Sequence, residues 1–358
     1  MKPQLTGGLL AATIASAAAM AAPPPRFPPG SVWHREISAA PVHPQSATMI
    51  STLNGLGGFG FGRMQIDFGM HIVPAAAGSP TRTIVGYPYD DYYSPDCEPI
   101  GSIMPVPANA AIESTAGMTC TNASEDCHLL VVQGDTLYEA YHVTASGVNG
   151  IESQCLVKWH LKAIYPAQGR GDHCTSADAA GFPIAPLLFN ADEVFAAMQT
   201  GGDLGHAIRF ILPNARMAND ASLGGSNGYL YVRPATHAGS PTGPTGSVAY
   251  GSRLRLRADF PMTNYSPAAQ VILRTMQRYG IVLADGGNIA LTAESDRYTT
   301  HTWAELGIDS REFDQTAGAQ DVMVTDFQVL DTGARIGETY DCNRTTVVTD
   351  TIFTDGYE

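Results

Sequence analysis

Charge is the scarcest commodity in this chain. Of its 358 residues only 15% are charged, against about 25% in ordinary soluble domains. Lysine is almost missing, since beyond Lys2 only Lys158 and Lys162 occur. Twenty Lys plus Arg stand against 34 Asp plus Glu, a net charge of −14. A chain this acidic lacks the broad positive field that draws phosphate backbones, which excludes a dedicated nucleic-acid binder. Past the N-terminus no apolar run approaches the ~18 residues of a membrane span. There is no C-x-x-C and no H-E-x-x-H, so the usual zinc sites are excluded. No internal repeat is found, which leaves a propeller or solenoid without support.

What is present points first to a cellular address. MKPQLTGG is followed by LLAATIASAAAMA, with small residues at Ala19 and Ala21 around Met20 and a Pro run directly after. One Lys, a short apolar stretch and an A-x-A exit read as an export signal over residues 1–21, which places the mature protein in a secreted or periplasmic setting. Six cysteines, Cys97, Cys120, Cys127, Cys155, Cys174 and Cys342, suit an oxidising compartment. Six allow 15 pairings, and the sequence does not choose among them. Cys120 with Cys127 makes a plausible short loop, and Cys342 is placed to fasten the C-terminal tail, residues 331–358.

With 44% hydrophobic residues the chain can bury one large or two medium cores. Residues 22–125 are rich in Pro, Gly, Ala and Ser and read as a loop-rich segment packing on the core. From Cys127 short apolar runs follow one another between turn residues: HLLVVQ, LYEAYHV, QCLVKWH, AIRFIL, YLYVRPA, RLRLRADF, GIVLAD, NIALTA, VMVTDFQVL and TTVVTDTIF. Many short strands without alternating helices predict a mainly β chain, a sandwich or barrel-like core over 126–330. Two helices interrupt it. ADEVFAAMQ, residues 191–199, has Asn190 as its cap and Gly201 after its end. SPAAQVILRTMQRY, residues 266–279, has a Ser cap, Pro at the first helical position and Gly280 as its stop.

Two familiar patterns fail on context. Gly55, Gly57 and Gly60 match G-x-G-x-x-G, but a strand-like RMQIDFGMHI follows where a phosphate site needs a helix N-terminus. Gly224, Ser226 and Gly228 match G-x-S-x-G within a polar loop, not the strand-to-helix elbow of a nucleophile.

Titratable residues carry more. If DTLYEAYHV is a strand, alternation puts Glu139 on the face of Leu137, Tyr141 and Val143, with His142 on the other. A carboxyl among apolar neighbours resists ionisation and suits a general acid; the alternative is an edge-strand Glu that meets solvent or an Arg. Asp178 sits among Ser176, Ala177, Ala179, Ala180 and Gly181, small residues that leave a carboxylate facing open space or closing its own turn. His206, Arg209 and His237 come from neighbouring predicted strands. Histidine is the side chain most easily tuned as acid or base, and Arg grips carboxylates in pairs of bonds. Arg253, Arg255 and Arg257 of RLRLR share a strand face that either binds uronates or balances acidic neighbours. Asp285 opens DGGN, a hairpin-turn composition.

The blocks TSADAAGFPI, HAIRFIL, YVRPATHAG, GSRLRLRADF and YGIVLADGG, in this order from about Cys127 to Phe327, resemble a family of secreted bacterial proteins. The resemblance implies an exported, polysaccharide-degrading setting. Relatives carry Asn and then Trp or Tyr after ADGG; this chain has Asn288, Ile289 and Ala290, which argues against an aromatic sugar platform there.

Together these readings predict a secreted glycoside hydrolase with a polysaccharide or oligosaccharide substrate. Glu139 is the expected acid, Asp178 the base or nucleophile and His206 an orienting group; His142, Arg209, His237 and Arg255 are expected to bind substrate. A uronate-directed polysaccharide lyase and a non-catalytic carbohydrate-binding protein are the alternatives. No cofactor is expected beyond structural calcium held by acidic loops such as YPYDDYYSPD.

Overall fold

A computed structural model describes residues 24–120, 122 and 125–345. The expected export signal lies outside the described residues, apart from its Pro exit, and so does nearly all of the predicted strand TTVVTDTIF. The chain is mainly β, as expected, and built from mixed sheets; among the described residues none closes into a barrel.

The largest sheet has six strands in the spatial order Ile66–Met70, Leu291–Glu294, Ile208–Leu212, Ile281–Gly286, Arg253–Leu256 and Phe327–Val329. Its two central strands, Ile208–Leu212 and Ile281–Gly286, run parallel. Apart from the buried Arg209, both are apolar until Asp285 near the end of the second, as strands covered on two faces are. The connection between them includes the helix Pro267–Arg278, which packs against Arg253–Leu256 and against the helix Ala191–Thr200. Ser266 caps the former, accepting from Ala269 N at 3.1 Å, with Pro267 at its first position. Both helices fall within a residue of their predicted bounds. A third, Ser46–Gly55, was not expected; it has neither a capping side chain nor an acidic first turn to announce it, and it rests on Phe327–Val329.

A four-stranded sheet, Ile72–Pro74, Leu129–Gln133, Thr136–Tyr141 and Cys155–His160, lies beside a second one, Ile103–Pro105, Thr81–Gly86, Gly150–Ser153 and Thr144–Ser146. Strand alternation divides the first of these between two cores. Leu129, Val131, Ala140 and Leu156 join Ile84, Met104 and Ile151 in a small core with the second sheet. Leu130, Leu137, Val157 and Trp159 face the main core. The 22–125 segment is woven into this architecture: Ile66–Met70 is an edge of the large sheet, and Phe27, Trp33 and Leu53 are core residues.

The described N-terminal stretch is held by charge. Arg26 meets the Glu193 carboxylate at 2.6 Å and donates to Leu188 O at 3.0 Å. Glu193 closes a capping box with Asn190 at the start of Ala191–Thr200. His206 is fully buried, 3.5 Å from Glu193 through Nε2 and bonded to Ala207 O through Nδ1. It therefore anchors this corner and does not reach any cleft. Asn190 Nδ2 donates to Glu294 Oε2 at 2.9 Å. Burial, with Glu193 and Asp192 nearby, pushes the Glu294 carboxyl up to about 8. A folded-state value above the ordinary 4.5 means that folding favours the protonated form; the stabilisation is complete below about pH 4.5 and is lost as pH rises toward 8. Glu294→Gln, always neutral, should match the wild type at pH 5 and exceed its Tm at pH 8.5. Melting curves at the two pH values test this, and equal pH slopes in both proteins would refute it.

Candidate active site

One cleft encloses about 430 Å³, within the range of small-molecule sites. Four loop segments wall it: Tyr92–Asp96, Asp126, Thr175–Ala179 and His237–Ser240, joined by Tyr141, Asp285 and Tyr340. Each disulfide adjoins one of these walls. Cys97–Cys155 follows Asp96, Cys120–Cys127 follows Asp126, and Cys174–Cys342 ties the start of the Thr175–Ala179 wall to the Tyr340 segment. The expected short loop and the fastening of Cys342 are both present.

The floor is built around the turn Asp178–Gly181. Gly181 N bonds Asp178 O at 2.9 Å, and Ala180 N bonds Ala284 O at 2.9 Å, which fixes the turn to the central strand. Gly181 has φ +75°, and a Cβ there would stand 2.1 Å from Thr236 Oγ1, so only Gly fits. The small residues around Asp178 thus serve close backbone approach, as their composition suggested.

Asp178 is wholly buried under this floor. Its Oδ2 meets Arg209 Nη2 at 2.6 Å, and its Oδ1 accepts from Ala180 N at 3.1 Å. Arg209, itself 3% exposed, also donates to Thr292 Oγ1 at 2.9 Å, and the same Nη2 lies 3.8 Å from Asp285 Oδ2. Two carboxylates therefore share one buried guanidinium. Burial pushes Asp178 up to about 7 against the pull of Arg209, with Asp285 adding to the rise. Asp285 is raised as well, by burial first and then by the Asp126 charge.

Asp285 is the member that reaches the cleft, with 21% of its side chain exposed. Its Oδ2 accepts from Ala179 N at 3.2 Å and its Oδ1 from Gly286 N at 2.7 Å. The carbonyl of the same Ala179 accepts from His237 Nδ1 at 2.7 Å. One residue thus positions an acid through its N–H and an imidazole through its C=O. Because a carbonyl only accepts, Nδ1 carries the proton, and Nε2 is the basic nitrogen of the neutral ring. The Tyr340 ring stands 5.2 Å from that of His237. Behind Ala177, His128 donates to Ala177 O at 2.9 Å and pairs with Glu113 at 2.8 Å. Glu113 overcomes burial and raises His128 to about 9, so this ring is a buried cation.

Of the residues singled out from the sequence, Asp178, His237 and, from beneath, Arg209 come together here. The others do not. Glu139 shares the apolar face predicted for it, opposite Leu130 and Val157. It is nevertheless closed off: Oε1 accepts from Ile184 N and Ala185 N, both at 2.8 Å, and Oε2 accepts from Trp159 Nε1 at 2.8 Å. Burial raises it to about 7, yet it is a clamp between the hairpin and the Ile184 turn and does not line the cleft. His142 stacks on Tyr87 at 4.3 Å and bonds Gln154, behind the cleft wall. Arg255 spends its donors on Ile37 O, Ser38 O, Ala40 O and Gln328, and Arg253 on Tyr279 O, Val32 O and Arg35 O, so these two staple the N-terminal loop, while Arg257 pairs with Asp259 and Asp326; none of the three lines this cleft. Gly224, Ser226 and Gly228 lie in two short consecutive turns with no strand-to-helix elbow, and Gly55 ends a helix where a phosphate site would begin one.

Sequence reasoning missed the tyrosines and Asp126, and it read Asp285 only as opening a hairpin turn. A signal existed for Asp285, which follows the fully apolar IVLA at the C-terminal end of a central parallel strand, where open sheets place their ligands. Among the described residues, the one grouping of metal-type ligands is Asp96 with Cys174 and Cys342. The two sulfurs are bonded to each other, which leaves a single carboxylate; among the described residues the acidic side chains of the YPYDDYYSPD loop form no further grouping. Among the described residues no helix is long and apolar enough to cross a membrane. Searches against family models, curated proteins and solved structures found no match.

Removing one partner of a buried ion pair strands the other. Arg209→Leu should therefore cost about 3–5 kcal/mol, and adding Asp178→Leu should recover part of that loss. Denaturant titrations of both variants check the coupling; a double variant less stable than Arg209→Leu would refute it.

Proposed function

We propose that the protein is an exported hydrolase of glycans, with Asp285 as the proton donor and His237 as the base that activates water. The observation that carries this reading is the double use of Ala179, which holds a carboxyl of raised pKa and an imidazole of fixed tautomer at the floor of one cleft. Such a pair supplies both proton transfers of a hydrolysis: the acid protonates the leaving oxygen while the base takes a proton from water. Asp178 and Arg209 act through Asp285 as positioning residues. Tyr92, Tyr93, Tyr141 and Tyr340 supply ring faces of the kind that sugar rings pack against. The three disulfides support the extracellular setting.

Elimination is the weaker reading. A lyase needs a cation over the uronate carboxylate, and the cleft lining contains neither Lys nor Arg; Arg209 lies beneath it, committed to Asp178.

The test is turnover on a panel of neutral, anionic and amino polysaccharides, scored for reducing ends and for double-bond absorbance. Reducing ends without unsaturation are expected. Asp285→Asn should lower the rate by about 10²- to 10⁴-fold in a protein that still melts cooperatively. Wild-type-like turnover in that variant, or an unsaturated product, would overturn the assignment.

A further inference from the structure

The lining of the cleft has a charge that the protein itself does not balance. Four aspartates, Asp96, Asp126, Asp178 and Asp285, face or underlie it, and no Lys or Arg is among its lining residues. The cations nearest the floor are already committed: Arg209 to Asp178 and Asp285, His128 to Glu113. Asp96 is occupied by Thr175 N at 2.8 Å. Asp126 differs from all of these. It is exposed, and among the described residues its carboxylate accepts no hydrogen bond and enters no ion pair.

Beside it stands a second, independent feature. The rings of Tyr93 and Tyr141 are nearly parallel, 18° apart with centroids at 6.2 Å, and both rings feel the charges of Asp126 and Asp285. Neither hydroxyl has a hydrogen-bond partner among the described residues. Aromatic faces next to an unpaired carboxylate are the chemistry that receives an organic ammonium: the ring quadrupole and the anion both favour positive charge, and the phenols accept its N–H groups. A sugar hydroxyl would leave the carboxylate unbalanced, and a uronate would be repelled by it. Small divalent cations prefer several converging oxygens, which Asp126 does not have around it.

We propose that the cleft selects a glycan bearing free amino groups, with the ammonium of one unit seated at Asp126 against Tyr93 and Tyr141. This rests on the glycan reading of the cleft and adds the sign of the substrate's charge. The bond cleaved would be the glycosidic bond of the neighbouring unit: water adds to the anomeric carbon, His237 takes its proton, and Asp285 gives one to the departing oxygen.

Calorimetric titration with a β-1,4-linked glucosamine tetramer and with its fully N-acetylated counterpart separates charge from ring shape. At low ionic strength the amine tetramer should bind roughly tenfold tighter, about one charge-assisted contact, and the gap should narrow at high salt. Asp126→Asn should erase most of the gap without weakening the acetylated tetramer. An acetylated tetramer that binds as well as or better than the amine form would overturn the inference while leaving the glycan reading intact, as would calcium ions occupying Asp126 in place of the amine. If neither tetramer binds and no polysaccharide in the panel is cleaved, the glycan reading itself fails.

Discussion

A single guanidinium under the floor of the cleft determines much of this structure. Arg209 is almost wholly buried, and a bare charge there would cost several kcal/mol. It is balanced by Asp178 and Asp285, which reach it from the Thr175–Gly181 wall and from the end of a neighbouring strand. Satisfying Arg209 therefore requires the large sheet, the Asp178 turn and the cleft floor to form together. The same requirement sets the chemistry: two carboxyls crowded onto one cation in a dry site hold protons more tightly than carboxyls in water.

Around that fixed floor the walls are loops, and loops hold a shape only when something restrains them. Here the restraint is covalent. The three disulfides close spans of 58, 7 and 168 residues, and each ends next to a segment that faces the cleft. Beyond the helices and strands, hydrogen bonds add to this: Tyr340 donates to Gly239 O at 2.9 Å, and Glu338, wholly buried, accepts from Ala238 N at 3.0 Å. A cleft assembled from segments this far apart in the chain owes its shape to crosslinks that form only once the fold has brought the cysteines together.

Several buried carboxyls in this protein have raised pKa values, and their surroundings separate them by role. Glu139 accepts three hydrogen bonds and touches no open space; Glu294 caps a buried amide. Asp285 combines burial, a neighbouring charge and access to the cleft, as does Asp96 on the wall, but only Asp285 shares Ala179 with His237. A perturbed pKa marks a functional group only where a ligand can reach it. Glu139 shows how a correct argument about burial leads to a structural clamp when the third condition is missing.

What the sequence determined by itself is local. The strands Leu129–Gln133, Cys155–His160, Ile208–Leu212 and Ile281–Gly286, and the helices from Ala191 and Pro267, all follow from periodicity, caps and turn residues, which act within a few positions. Glu139 was placed on the right face for the same reason. The partners of Cys97 and Cys174, the gathering of Asp126, Asp178, His237, Asp285 and Tyr340 into one hollow, and the turning of Arg255 toward backbone carbonyls were decided by tertiary structure alone. Alternation tells which side of a strand a residue occupies, but whether that side meets core, loop or cleft depends on segments more than a hundred positions away, and no local pattern encodes that contact.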